Sequence, residues 1–161
     1  MTPVHPEILA ALTSGIQSEV ATYVFYIEAA KLVNDEGIRE TLHRLAGEEK
    51  GHFQILERQY DSLVRSEKWI STADILKQPG LPEINEAMKA EHRDLVEEVR
   101  RTAGKRAILD IALRLEIEAR DLFKKEAEKS DSKEAKETFN HLVRFEEGHV
   151  VLIRNMIARL Q

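Results

Sequence analysis

Shifted by 97 positions, the second part of this chain falls on the first without a gap. Glu19 lands on Glu116, Tyr26 on Phe123, Ala30 on Ala127, Glu40 on Glu137, Thr41 on Thr138, Leu45 on Leu142, Glu49 on Glu146, Gly51 on Gly148 and His52 on His149. Such self-similarity marks one supersecondary unit built twice, each copy burying its apolar face against the other. The chain is thereby constrained to two alike halves related by a pseudo-twofold axis.

Within each half the apolar positions follow the helical period, in two stripes. The first half gives Ile8, Leu12, Ile16, Glu19, Tyr23, Tyr26, Ala30 and Val33, then, after the turn at Asn34 to Gly37, Ile38, Leu42, Leu45, Glu49, His52, Leu56, Gln59 and Leu63. The second half gives Leu109, Ala112, Glu116, Ala119, Phe123 and Ala127, then, after a polar turn at Lys129 to Lys133, Ala135, Phe139, Leu142, Glu146, His149, Ile153, Met156 and Leu160. These stripes predict four helices of about 25 residues, roughly 38 Å long at 1.5 Å per residue. Between the halves, residues 67–106 carry Gln78-Pro79-Gly80, Leu81-Pro82 and a shorter amphipathic pattern through Ile84, Met88, Leu95 and Val99. That segment reads as a crossover with its own helix. Two helical hairpins joined by a long crossover predict an all-α four-helix bundle, taken as one domain over residues 1–161.

Composition sharpens the chemistry. The chain is 42% hydrophobic and 33% charged, enough apolar residues for a core. It has no Cys, which excludes disulfides, thiolate zinc sites and iron–sulfur clusters from these residues and leaves carboxylate and imidazole as metal ligands. A net charge of −5 with scattered basic residues argues against nucleic-acid and membrane partners. No run of about 18 apolar residues and no basic leader precede the first stripe, so the expectation is a cytoplasmic protein.

Six charged or titratable residues stand where the stripes call for apolar ones: Glu19, Glu49, His52, Glu116, Glu146 and His149. Residues three apart share a helix face, so Glu49 with His52, and Glu146 with His149, can each offer an oxygen and a nitrogen to one ion. Glu19 and Glu116 then approach from the facing helices. One Glu from each of two helices and a Glu-x-x-His from each of the other two is the way a helical bundle holds a di-metal carboxylate centre. Four carboxylates carry −4 and two neutral imidazoles add nothing, so two divalent cations, about 3.5 to 4 Å apart, neutralise the cluster. The plainer alternative, a polar interruption of the core by self-satisfied Glu–His pairs, leaves six ionisable groups buried at several kcal/mol each if unpaired.

A single Glu-x-x-His says little in a chain with 29 acidic residues and 6 His. Glu40 and His43 repeat the spacing but fall off the stripe and read as solvated surface. His5, His92 and His141 are expected to be surface or capping residues. Tyr26 lies two turns from Glu19 on the same face, where its hydroxyl is either a partner for a ligating carboxylate, an electron donor or a plain core aromatic; Phe123, its counterpart, can do neither of the first two. Gly51 and Gly148 are expected to permit close helix approach, to leave room over the metals or to relieve packing. Trp69 is expected to be a lid or core plug.

At Glu19, Glu49-x-x-His52, Glu116 and Glu146-x-x-His149 the pattern resembles the rubrerythrin-type di-iron domain of the ferritin-like superfamily. The resemblance covers Ile16 to Ile55 and Leu113 to Leu152, with the stretches Leu45 to Phe53 and Ala112 to Phe123 most like the family. It implies a carboxylate-bridged pair of Fe ions that reacts with hydrogen peroxide or dioxygen, or that oxidises and holds Fe²⁺, in the setting of oxidative stress. It also implies a homodimer or higher homo-oligomer. Two departures stand out. Rubrerythrins proper carry a four-Cys rubredoxin domain, which these residues lack, so turnover is expected to need an external electron donor protein. They also tend to carry a further Glu one turn after the third-helix ligand, where this chain has Ala119, matched by Thr22 in the first half. Glu118 is adjacent but points about 100° away.

The expected function is therefore a rubrerythrin-like di-iron oxidoreductase, a peroxidase or a ferroxidase. The rivals are a non-catalytic iron-binding or storage protein and a di-iron oxidase with an organic substrate. Zn or Mn can replace Fe in such a ligand set, since Zn²⁺ outcompetes Fe²⁺ on intrinsic affinity.

Overall fold

The computed structural model describes residues 6–102 and 104–160; His5, expected at the surface or at a cap, lies outside them. Each predicted stripe forms a long helix: α1 (Pro6–Leu32), α2 (Glu36–Ser66), α6 (Lys105–Lys129) and α7 (Lys133–Arg159). Every member of the second stripe is buried, and all of the fourth except half-buried Leu160. Helix α1 packs along α2, α6 along α7, and the two hairpins join through α1 and α6. The chain is an all-α ferritin-like four-helix bundle, with no strand among the described residues.

The duplication extends to the caps, which the stripes do not report. Asp35 caps α2 by accepting the Ile38 N–H at 3.1 Å, and Ser132, its counterpart, caps α7 by accepting the Ala135 N–H at 3.2 Å. One turn further, Arg39 donates to the Val33 carbonyl at 2.7 Å. Its counterpart Lys136 donates to the Ala127 carbonyl at 2.9 Å. In each hairpin, then, a basic side chain on the second helix satisfies a carbonyl at the end of the first.

The crossover departs from expectation. In place of a single helix it holds α3 (Thr72–Lys77), α4 (Glu86–Ala90) and α5 (Arg93–Arg101). The amphipathic pattern from Ile84 to Val99 keeps helical register throughout, but its apolar members serve two different cores. Ile84 and Met88 pack with Val20, Val24 and Phe53, whereas Leu95 and Val99 pack with the cluster around Phe25 and Leu109. The stripe has no apolar member at Glu91 and His92, and there the helix breaks. His92 occupies the N-cap position of α5 without a capping side-chain bond. Upstream, the crossover is held to the bundle by buried Gln59, which donates to the Ile70 carbonyl at 2.7 Å and accepts its N–H at 2.8 Å. Trp69 beside it is a half-buried plug against the cluster of Leu12, Leu56 and Phe139.

A glycine outside the expected set governs helix approach. A Cβ at Gly15 would meet the Phe123 ring at 2.9 Å and Leu56 at 3.1 Å, so a larger residue there would force those side chains to move. Gly51 and Gly148, by contrast, face open space, with nothing within 4 Å of an added Cβ. Close helix approach is therefore not what they provide.

Candidate metal centre

All six stripe-breaking residues converge in the bundle core. Glu19, Glu49, Glu116 and Glu146 are fully buried, and His52 and His149 are 4% and 5% exposed. They sort into two overlapping sets, Glu19, Glu49, His52 and Glu146 on one side and Glu116, Glu146, His149 and Glu49 on the other. Within each set one potential ligand atom per residue lies within 4.8 Å of the others. His52 Nδ1 is 3.1 Å from Glu146, 3.5 Å from Glu49 and 3.6 Å from Glu19. His149 Nδ1 is 2.9 Å from Glu49, 3.4 Å from Glu116 and 3.5 Å from Glu146. The pseudo-twofold relation inferred from the repeat thus holds at the level of single atoms: Glu49 and Glu146 belong to both sets, and each set adds its own imidazole and its own outer Glu.

What these groups lack, among the described residues, is hydrogen bonds. Of the eight carboxylate oxygens, two accept hydrogen bonds: Glu146 Oε1 from His52, and Glu116 Oε1 from the Tyr26 hydroxyl at 2.5 Å. The other six, both oxygens of Glu19 and of Glu49 and Oε2 of Glu116 and Glu146, are buried with none, as is His149 Nδ1. Buried polar atoms in native proteins are almost always satisfied, and each one left bare costs about 1–3 kcal/mol or more for a charged group. Self-satisfied Glu–His pairs would not leave this set. Oxygen and imidazole donors turned inward around one core are the donor chemistry that suits divalent Fe, Mn or Zn.

Electrostatics points the same way. Burial, reinforced by Glu49 and Glu146, raises the Glu19 carboxyl well above its ordinary range. Burial and the neighbouring Glu146 carry Glu116 to about 7. Burial disfavours the charged form of His52, but the carboxylates of Glu146 and Glu49 outweigh it and lift the ring to about 10. His149 is raised in the same way by Glu116, Glu146 and Glu49. Burial and Glu49 push Glu146 up, yet the close approach of Glu116, His149 and His52 prevails and holds it below the usual range. The metal-free cluster therefore offsets most of its charge by holding protons on both rings and on Glu19.

A pH dependence follows. His52's folded value lies above its ordinary 6.5, so its stabilisation of the metal-free fold is fully present below about 6.5 and lost as pH rises through about 10. Raised Glu19 acts in the same direction, favouring the metal-free fold while it holds its proton and opposing it as it ionises. Divalent cations need carboxylates and neutral imidazoles, so binding must release these protons. Divalent-metal affinity is expected to rise with pH between about 6 and 8. Calorimetric titrations in buffers of different ionisation enthalpy count the protons released, and a count of zero would contradict the cluster's protonation.

The remaining expected residues fall outside the cluster. Glu40 and His43 are exposed. Ala119 and Thr22 are both buried, 2% exposed, while Glu118 faces solvent near Arg114. Tyr26 takes the hydrogen-bonding option, on Glu116, and its counterpart Phe123 instead stacks on Phe139 with centroids 6.4 Å apart. His141 is half-buried with its ring 5.0 Å from Phe145. One contact to the cluster escapes a reading based on stripes: His149 Nε2 donates to Glu48 at 2.8 Å from outside the core. Its only sequence signal is the doubled acid in Glu48-Glu49.

No curated protein matches this chain. Among solved structures, a hypothetical protein from Pyrococcus furiosus is similar in fold, with a TM-score of 0.64 and 22% identity over 94% of this chain and 88% of that one. The family model described as Rubrerythrin matches residues 10–157, a span that contains both hairpins and all six clustered residues. With its duplicated hairpin, its buried carboxylate and imidazole cluster and that match over most of its length, the chain belongs to the rubrerythrin family.

Proposed function

We propose that this chain is a di-metal oxidoreductase of the rubrerythrin type, with two Fe ions held by Glu19, Glu49, His52, Glu116, Glu146 and His149. The observation that carries the reading is the set of six buried carboxylate oxygens without hydrogen bonds, arranged about two imidazoles. Glu49 and Glu146 would serve both ions, His52 with Glu19 one, and His149 with Glu116 the other. Two ferrous ions bound there would supply the two electrons needed to cleave the O–O bond of hydrogen peroxide.

The chain's own part is positional. Leu45, Ala112 and Ile153 belong to the apolar cluster on one side of the centre and Leu56, Ala119 and Phe123 to that on the other, so bulk water is kept from the carboxylates. The Tyr26 hydroxyl donates to Glu116 Oε1, which fixes that carboxylate and leaves its second oxygen free to ligate. These 161 residues contain no Cys, so electrons for a second turnover would come from outside them. We place the protein in the cytoplasm; among the described residues no helix is long and apolar enough to cross a membrane.

Ala119 favours a second reading. The buried methyl at a position where the family tends to supply a further carboxylate leaves six protein ligands, which suits oxidation and retention of Fe²⁺ as well as peroxide turnover. The test is the reaction of the reduced, iron-loaded protein. A peroxidase is expected to oxidise stoichiometrically with peroxide, faster than with dioxygen, and then stall until a reductant is added. Iron uptake beyond two ions per chain under air, with dioxygen consumed at least as readily, would replace that reading with ferroxidation and storage.

A further inference from the structure

The two halves of the centre differ at Tyr26, which bonds Glu116 where its counterpart Phe123 cannot, and at one further pair of positions, beside the imidazoles. The 97-residue shift places Phe145 on Glu48. Each residue immediately precedes a clustered Glu on its helix, and each reaches across to the imidazole of the other half. Glu48, on α2, accepts a hydrogen bond from Nε2 of His149 at 2.8 Å. Phe145, on α7, packs its ring edge-on against His52, with centroids 4.9 Å apart and planes at 77°. The same structural position thus presents a carboxylate to one imidazole and a phenyl ring to the other.

The consequence is chemical. Both rings turn Nδ1 toward the carboxylates, which leaves Nε2 as the outer nitrogen. A carboxylate that accepts the outer N–H of a ligating imidazole fixes the tautomer with the inner nitrogen bare, locks the ring's orientation and raises its basicity. Loss of such a partner typically weakens metal binding 10- to 100-fold. His149 has that partner. Phe145 orients the His52 ring by packing and offers no acceptor.

We infer that Glu48 is a positioning residue that makes the two metal positions unequal: the position of His149 and Glu116 binds a divalent cation tighter and fills first, and that of His52 and Glu19 fills second. The inference rests on the metal-centre reading above and deepens it, since a centre with one tight and one weak position passes through a half-loaded state.

The test is calorimetric titration of the full, metal-free chain with Co²⁺. Wild type is expected to bind two ions in separable steps. E48A is expected to weaken the tighter step 10- to 100-fold and leave the weaker one unchanged, with E48Q, which retains an acceptor without the charge, between the two. Single-imidazole backgrounds identify the position. Glu48→Ala should weaken the remaining Co²⁺ site in His52→Ala, where His149 is kept, and change nothing in His149→Ala. Phe145→Glu should tighten the site in His149→Ala. Equal losses in both backgrounds would mean that Glu48 acts as a diffuse charge, and no loss in either that its bond is idle; each result overturns the inference while two-ion binding by wild type leaves the metal centre standing. A wild-type chain that binds no Co²⁺ overturns both.

Discussion

Chelation is expected to lower the melting temperature of this protein sharply, and reloading with a divalent metal to restore it. A ligand that binds only the folded chain stabilises by about 2.7 kcal/mol at 100 times its dissociation constant. In a domain of this size about 1 kcal/mol shifts the midpoint by roughly 2–4 °C, so each ion should contribute about 5–11 °C. The physical source is the core itself. Without metal, six carboxylate oxygens are buried without hydrogen bonds among four Glu that sit close enough to oppose one another's ionisation. Scanning calorimetry at pH 7 with and without chelator measures the shift, and coincident curves would show that the cluster gains nothing from cations.

The second large effect separates the clustered Glu-x-x-His from its look-alike. Replacing His149 by Ala removes the nitrogen that faces Glu49, Glu116 and Glu146 within 3.5 Å. Stoichiometric oxidation of the reduced, iron-loaded protein by peroxide is expected to disappear. Replacing His43, which has the same spacing from Glu40 but an exposed side chain, should leave the oxidation intact. Stopped-flow absorbance of the two variants at matched iron loading makes the comparison. Equal rates would dissociate the chemistry from the buried cluster, and equal loss would point to a nonspecific effect of His removal.

That contrast also shows what kind of information the sequence carries. Glu49 and Glu40 have the same neighbour at the same spacing, and only the stripe, with Leu45 and Leu56 one turn before and two after, tells which pair faces inward. Burial against a core is periodic, so the four long helices and the six inward-facing residues of the cluster were legible from the period and the repeat. The caps were legible in principle: Asp35 and Ser132 occupy matched positions, but they are different residue types that cap alike, and a comparison of identities passes over them. Three features were not legible. Glu48 lies off the stripe and reaches His149 sideways from an adjoining helix, a contact that depends on how α2 and α7 lie against each other. Gly15 matters because of the Phe123 ring on another helix, whereas the glycines beside the His residues, conspicuous in the repeat, face open space. The break at Glu91 and His92 shows in the sequence only as one missing apolar member, because the segment keeps helical register while it passes from one apolar cluster to another.

A di-metal centre requires that the buried cluster hold two ions. Protein purified from iron-replete cells, or reconstituted anaerobically with Fe²⁺ and desalted, should contain two metal ions per chain by elemental analysis. Replacing Glu49 and Glu146, the two carboxylates shared by both sets, with Ala should reduce that count to near zero while circular dichroism retains the helical signal. A count near zero in the unaltered protein, or a count of two that survives the double replacement, would contradict the account.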